Sequence, residues 1–309
     1  MTKDQFNTPI LLIAFNRPET TKIVFEEIRK VRPKNFFMAV DGPRNGNEKD
    51  KTKVEKVREI IKKVDWPCKV KTLFRKENLG CKFGESSAIT WFFKNVENGI
   101  ILEDDNFPDP SFFKFCEELL EKYKNDERVM HISGNNFQRG RSIDNYSYYF
   151  SRYAHIWGWA SWRRAWEKYD ITLKSYPELR KKGYFKMLHP DFFERKNTLK
   201  NLDACYYKNF NTWDYQWTFS LLVNNGLAII PNKNLVKNIG FIENSTHTKP
   251  IDSFLSMPAG KMEFPLKHPQ FIIHNSFADR RYFRWTFIKK IRNFFLKKTG
   301  LIKLFKFEE

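Results

Sequence analysis

Gly99-Ile100-Ile101-Leu102-Glu103-Asp104-Asp105 is the stretch whose reading decides the fold. Its first four positions predict a short buried strand, and three carboxylates follow at the carboxyl end of that strand. Like charges side by side repel, and desolvating them costs several kcal/mol. A chain keeps such a triplet where something cationic binds. Open α/β sheets place their ligands at the carboxyl ends of strands. The triplet therefore implies a divalent metal holding a phosphorylated ligand.

Outward from this stretch, apolar runs alternate with helical periods. Residues 9–15 predict a buried strand, broken by Asn16-Arg17-Pro18, and Pro18 suits the first turn of a helix through Val31. Asn35 to Val40 predicts a second strand, closed by the loop Asp41-Gly42-Pro43-Arg44-Asn45-Gly46. Residues 48–64 carry helical spacing through Val54, Val57, Ile60, Ile61 and Val64. Cys68 to Phe74 predicts a third strand, Glu85 to Asn95 a helix, Ser111 to Lys124 another, and Val129 to Ser133 a fifth strand. The order β-α-β-α-β-α-β-α-β implies an α/β fold, a mostly parallel sheet flanked by helices. No Gly-x-Gly-x-x-Gly follows the first strand, and no Gly-x-x-x-x-Gly-Lys-Ser/Thr occurs, which argues against dinucleotide and P-loop sites. After residue 134 the pattern changes. Residues 144–169 are dense in Tyr and Trp, 171–211 are charged and irregularly helical, 212–223 predict a helix, and Leu227 to Ile230 a short strand. The expected division is 1–135, 136–278 as a second half of the same domain, and a basic amphipathic tail over 279–309.

The chain has 309 residues with 41% hydrophobic and 17% aromatic content, enough for a sizeable core. Most aromatics are expected to serve that core. The net charge of +19 favours polyanionic partners. Residues 280–309 hold ten Lys/Arg against two Glu. Phe287, Ile288, Ile291, Phe294 and Phe295 fall on one helical stripe there, so 283–307 predicts a basic amphipathic element for an anionic membrane surface, or a helix packed on the domain. The four cysteines lack Cys-x-x-Cys spacing, and neither a signal-peptide core nor a run of about 18 apolar residues occurs. A cytoplasmic chain is expected, at most peripheral on the inner membrane face.

Other residues join the triplet on the same sheet edge. Asp41 ends the second strand, where it reads either as a turn residue or as a carboxylate for a uracil or ribose. Arg17 follows the first strand and Arg75 the third, and both suit a nucleotide phosphate or base. Asn78 and Lys82 lie in the next loop and helix start. Trp157-Gly158-Trp159 reads as a sugar-stacking floor or as core. Asp214 stands among Trp213, Tyr215 and Trp217, surroundings that raise a carboxyl pKa as a general base requires. His247, in a polar loop, is the best metal-ligand candidate of the six histidines.

Together these residues resemble the nucleotide-sugar glycosyltransferases of the GT-A fold, nearest the inverting N-acetylglucosaminyltransferase I type and related bacterial enzymes. The resemblance covers roughly residues 8–250. It is most specific over Ile101 to Phe113, where a Glu-Asp-Asp motif precedes Pro-Asp-Pro-Ser-Phe-Phe. It implies that Asp105 contacts the metal, Mn²⁺ or Mg²⁺, together with the diphosphate of the donor. Glu103 and Asp104 would contact the ribose and sugar, and Asp41 the uridine. Trp157-Gly158-Trp159 would face the acceptor and Trp213-Asp214 would carry the base. Tyr215 stands where the family tends to have a second acid. The implied activity is inverting transfer from a nucleotide-sugar, UDP favoured, to a hydroxyl of a glycan or lipid-linked saccharide in surface polysaccharide synthesis. Competing classes are a nucleic-acid-binding protein, a metal-dependent phosphoesterase and a nucleotidyltransferase. The first lacks basic residues clustered near its aromatic block, so no nucleic-acid partner is expected. The second lacks an evident second metal set, and the third lacks a Gly-rich loop at strand one.

Overall fold

Every residue of strand β1 (Ile10–Ala14) is buried, because the apolar run offers side chains to both faces of a covered sheet. Helix α1 (Pro18–Val31) starts on Pro18 and ends on Arg32 in the left-handed region. Strand β2 (Asn35–Val40), helix α2 (Glu48–Glu59), strand β3 (Lys69–Phe74), helix α3 (Gly80–Asn95) and strand β4 (Asn98–Glu103) continue the alternation. Strand β5 (Asn106–Pro108), helix α4 (Pro110–Lys122), strand β6 (Val129–Ser133), and strands β7 (Tyr148–Ser151) and β8 (Trp159–Trp162) follow. Helices α5 (Arg163–Trp166), α6 (Tyr176–Lys181), α7 (Phe185–Leu188), α8 (Phe192–Tyr207) and α9 (Asp214–Val223) lead to strands β9 (Leu227–Pro231) and β10 (Val236–Asn238). Residues 276–286 are helical. This computed structural model describes residues 5–240 and 257–286. His247 and the tail from 287 onward lie outside the described residues.

Eight strands form one mixed, mostly parallel sheet in the order β3-β2-β1-β4-β8-β6-β9-β7. Strands β3, β2, β1 and β4 pair in parallel, β8 runs antiparallel between β4 and β6, and β7 runs antiparallel on β9. One sheet thus spans both halves of the chain. Side chains alternate along β1: Ile10, Leu12 and Ala14 join the core under α1, α2 and α4, whereas Leu11 and Ile13 join the core under α3 and α9. A third cluster, with Tyr176, Phe185, Leu202 and Phe219, packs α6 to α9 into a side lobe. The edge strand β3 is exposed over its first four residues, and Lys69 and Lys71 discourage pairing with another chain. No helix among the described residues is long and apolar enough to cross a membrane.

The expected elements over 9–133 are all present, with shifted ends. Helix α2 stops at Glu59 and tightens into a 3₁₀ turn over Ile60–Lys63. Helix α3 begins five residues before the expected Glu85. The aromatic region 144–169 contains two strands, β7 and β8, that periodicity did not reveal. Phe92, on α3, is fully buried with ring centroids 5.0 Å from Phe37 and 5.2 Å from Phe93. Phe92→Ala is expected to cost about 3–5 kcal/mol, read as a lower midpoint in denaturant melts.

Candidate active site

Strand β4 ends at Glu103, and the backbone turns at once through Asp104 and Asp105 into β5. The turn is held from two sides. β5 pairs antiparallel with β10, and Ile239 donates its N–H to the Asp105 carbonyl at 2.8 Å. Asn106 is fully buried; its side chain donates to Asp105 Oδ1 at 2.7 Å and accepts the Gly158 N–H at 2.6 Å. Gly158 sits at φ +62°, and a Cβ there would lie 2.9 Å from Val236 Cγ2, so glycine is required.

Arg17, from the turn after β1, reaches across to this triplet. Its guanidinium pairs with Asp104, and Nη1 lies 2.8 Å from Asp105 Oδ2. The Phe15 N–H adds a bond to Asp104 Oδ2 at 3.2 Å. Gly240 closes over the pair, for a Cβ there would come within 2.6 Å of both Arg17 Nη1 and Asp105 Oδ2. Outside Arg17 an open cavity of about 650 Å³ is lined by Asn16, Arg44, Asn47, Lys49 and Lys53 among others. Its cations suit an anionic ligand, and Asp50, held low at about 2 chiefly by Arg44, fixes Arg44 on its wall.

One guanidinium does not neutralise the carboxyl cluster. Burial pushes Asp104 up to about 6 despite Arg17. Glu103 rises well above the ordinary range, by burial and then by Glu85, Asp105 and Asp104. Glu85, on α3, rises to about 7, again chiefly by burial, although Cys81 and Trp213 hydrogen-bond to it. The Trp213 indole donates to Glu85 Oε2 at 2.5 Å. Glu85 feels the charges of both Asp104 and Asp214, so it links the triplet to α9.

Asp214 lies in the first turn of α9 and accepts the Thr212 hydroxyl. Burial raises its pKa, against the pull of Thr212 and the first backbone N–H groups of the helix. Asp41 collects N–H groups from Gly42, Leu79 and Gly80 and the Asn78 amide, at 3.0–3.1 Å. It caps α3 from across the sheet edge, which explains the early start of that helix. Asn78 also donates to the Gly42 carbonyl at 3.0 Å, the Lys82 N–H is held by Asn211 at 2.9 Å, and Arg75 donates to Ser87 at 2.7 Å. Arg17, Asp41, Arg75 and Glu103 thus follow the carboxyl ends of four adjacent parallel strands. Of the four residues expected to face a sugar, Trp159 and Trp213 are 0% and 1% exposed and stack on each other in the core at 5.7 Å, and only Trp157 keeps part of its ring open.

Glu85 and Asn106 carried no signal in the sequence. Glu85 is an ordinary helix residue by spacing, and its partner Trp213 is 128 positions away. Its titration carries a stability prediction. The folded chain holds this proton more tightly than the unfolded chain, whose carboxyl titrates near 4.5. Stability is therefore full below that value and is lost as pH rises through about 7. Asp104 acts in the same direction up to about 6. Tm is expected to fall from pH 5 to pH 8, and less steeply in Glu85→Gln. An unchanged slope would remove Glu85 from the buried cluster.

The donor set is all hard oxygen, which suits Mg²⁺ or Mn²⁺. Among the described residues no group of three His, Cys, Asp or Glu is arranged to enclose a metal ion. A divalent ion here would take one or two carboxylates from the turn and its other ligands from phosphate or water.

No protein-family model matches the chain, and no curated protein sequence matches it. Solved structures with similarity include a 4-diphosphocytidyl-2C-methyl-D-erythritol synthase from Anaerococcus prevotii, at 10% identity over 53% of this chain and 75% of that one, with a TM-score of 0.34. A UDP-glucose pyrophosphorylase complexed with UDP-glucose is 12% identical over 47% and 62% of the two chains, TM-score 0.28. The inositol-1-phosphate CTP transferase from T. maritima is 12% identical over 49% and 56%, TM-score 0.25. These are nucleotidyltransferases, and no glycosyltransferase is among them. Likeness this distant carries nothing about activity.

Proposed function

We propose that the chain is an inverting, metal-dependent glycosyltransferase that uses a nucleotide-sugar donor, UDP-linked in the favoured case. The observation that carries this reading is the pairing of two carboxyl groups of different surroundings along one sheet edge. The Glu103-Asp104-Asp105 turn is faced by Arg17 and a basic cleft. Asp214, raised by burial, lies within the electrostatic reach of the same cluster through Glu85. Separation of a phosphate-side acidic group from a basic carboxylate is what displacement at a sugar carbon requires.

Asp105 would hold the cation, which supplies charge neutralisation to the leaving diphosphate, and Glu103 and Asp104 would contact the ribose and sugar. Arg17 stands beside them to pair with a phosphate oxygen. Asp41 already orders the loop after β3, and Arg75 and Lys82, near the same edge, would meet the base and ribose. Asp214 removes the proton of an acceptor hydroxyl. That oxygen forms its bond to the anomeric carbon as the bond to the diphosphate oxygen breaks on the opposite face, and the configuration inverts. A glycan or lipid-linked saccharide is the proposed acceptor, and His247 for the metal and the tail from 283 onward for an anionic membrane surface rest on the sequence alone: a histidine in a polar loop, and a basic amphipathic stripe.

Nucleotidyl transfer is the second reading, favoured by the size and positive charge of the cleft beside Arg17, which would take a triphosphate tail. Product analysis separates the two. Glycosyl transfer releases a nucleoside diphosphate from the nucleotide-sugar and consumes a saccharide hydroxyl. Pyrophosphate release from a nucleoside triphosphate and a sugar phosphate would contradict the first reading.

A further inference from the structure

Two distant segments of the chain meet beside β7, the last strand of the sheet order. Arg152, just past β7, joins them: its side chain donates to the Leu188 carbonyl at 2.8 Å and its N–H to Asp279 at 2.9 Å. Leu188 to Asp191, between α7 and α8, and the start of the helix over 276–286 line one cavity of about 200 Å³. The chain ahead of that helix runs against β7, where Asn275 donates its N–H to the Phe150 carbonyl at 2.8 Å.

Six large apolar side chains surround this junction and stay outside the core. Met187, Phe192, Phe193, Phe271, Ile273 and Phe277 are 51% to 81% exposed. Their neighbours do enter the core: Phe185, Ala278 and Phe283 are buried, and Ile272 packs on the large cluster under α1, α2 and α4. The exposure is therefore not that of loose, frayed chain. Single exposed apolar residues are ordinary, but a group of them brought together by the fold marks a surface that meets something.

The charge around them has one sign. Residues 184–196 and 271–286 hold six Lys/Arg and three acids. Two of the acids, Glu194 and Asp279, are buried. The third, Asp191, caps α8 and accepts the Phe193 and Glu194 N–H groups at 2.9 Å. Lys186, Lys196, Arg280 and Arg284 are exposed and make no ion pair among the described residues. Phe277, Arg280 and Arg284, at i, i+3 and i+7, share one face of their helix. Apolar side chains ringed by free cations match the headgroup–acyl boundary of an anionic bilayer. A second copy of the chain fits worse, because each copy carries a net charge of +19. Protein interfaces are also depleted in Lys.

We propose that this junction docks on an anionic membrane surface, its six apolar side chains entering the boundary and its four free cations pairing with lipid phosphates. The claim rests neither on the glycosyl-transfer reading nor on the tail from 287 onward. The test uses the full chain, tail included, in flotation with vesicles of phosphatidylcholine alone or mixed equally with phosphatidylglycerol. Binding is expected to the mixed vesicles and to weaken with salt. Phe192→Ser with Phe277→Ser, and separately Arg280→Glu with Arg284→Glu, are expected to lower it by about ten-fold or more. These side chains are exposed, so melts without lipid should match the parent, and so should the thermal shift with UDP and Mn²⁺. In the unsubstituted chain, mixed vesicles should slow hydrogen exchange over 184–196 and 271–284, a readout that needs no variant. Equal flotation with both vesicles would overturn the proposal. So would parent-like binding by both double variants, which would leave the tail as the anchor, or unchanged exchange over both segments. Loss of binding to a single-stranded oligonucleotide in the variants, with vesicle binding intact, would overturn it in favour of nucleic acid.

Discussion

Asp214→Asn is expected to lower the transfer rate by about 10²–10⁴-fold, the range that a positioned general base contributes, while leaving the donor affinity within two-fold of the parent (about 0.4 kcal/mol). The substitution keeps the shape of the side chain and its bond from Thr212. What it removes is the carboxylate that burial has made a stronger base than an exposed aspartate. Rate and affinity are read separately, by nucleoside diphosphate release under saturating donor and by calorimetric titration of UDP with Mn²⁺. Normal turnover in Asp214→Asn would remove the base assignment. Lost turnover with lost donor affinity would place Asp214 on the phosphate side instead.

Asp105→Asn is expected to have the converse signature. Metal-dependent UDP binding should weaken by more than the 10–100-fold typical of losing a partner one step removed from a metal, and turnover should fall with it. Asparagine keeps an acceptor for Arg17 or Asn106 but removes the charge that would hold the cation. The unliganded protein should still fold, since β5, β10 and the Ile239 bond hold the turn through backbone atoms. Parallel melts without ligand therefore separate a lost cation site from a lost fold. Mn²⁺ titrations in which Asp105→Asn matches the parent would move the metal elsewhere.

The contrast between the two variants follows from where each residue lies, and that placement was unevenly legible in the chain. Strands β1, β2 and β4 are buried on both faces, so their unbroken apolar runs announced them. Strand β8 was hidden because Trp159 to Trp162 read as an aromatic block. Only its antiparallel insertion between β4 and β6 makes those tryptophans core. The start of α3 was set by a carboxylate at position 41, far from the helix it caps. Within the site, the Glu103 to Asp105 triplet stood out as adjacent like charges at a strand end. Asp214 stood out by its aromatic neighbours. Glu85 and Asn106 did not, because their roles come from partners that the chain brings close only on folding.

The most direct test is a thermal-shift series on the full chain with UDP, GDP, CDP and dTDP, each with and without Mn²⁺. A ligand that binds only the native state stabilises it by RT ln(1 + [L]/Kd), so Tm rises with the ligand concentration relative to Kd. A rise with UDP that requires Mn²⁺ and disappears in Asp105→Asn is the expected result. No rise with any metal–nucleotide pair would contradict the assignment of the acidic turn to a nucleotide-sugar.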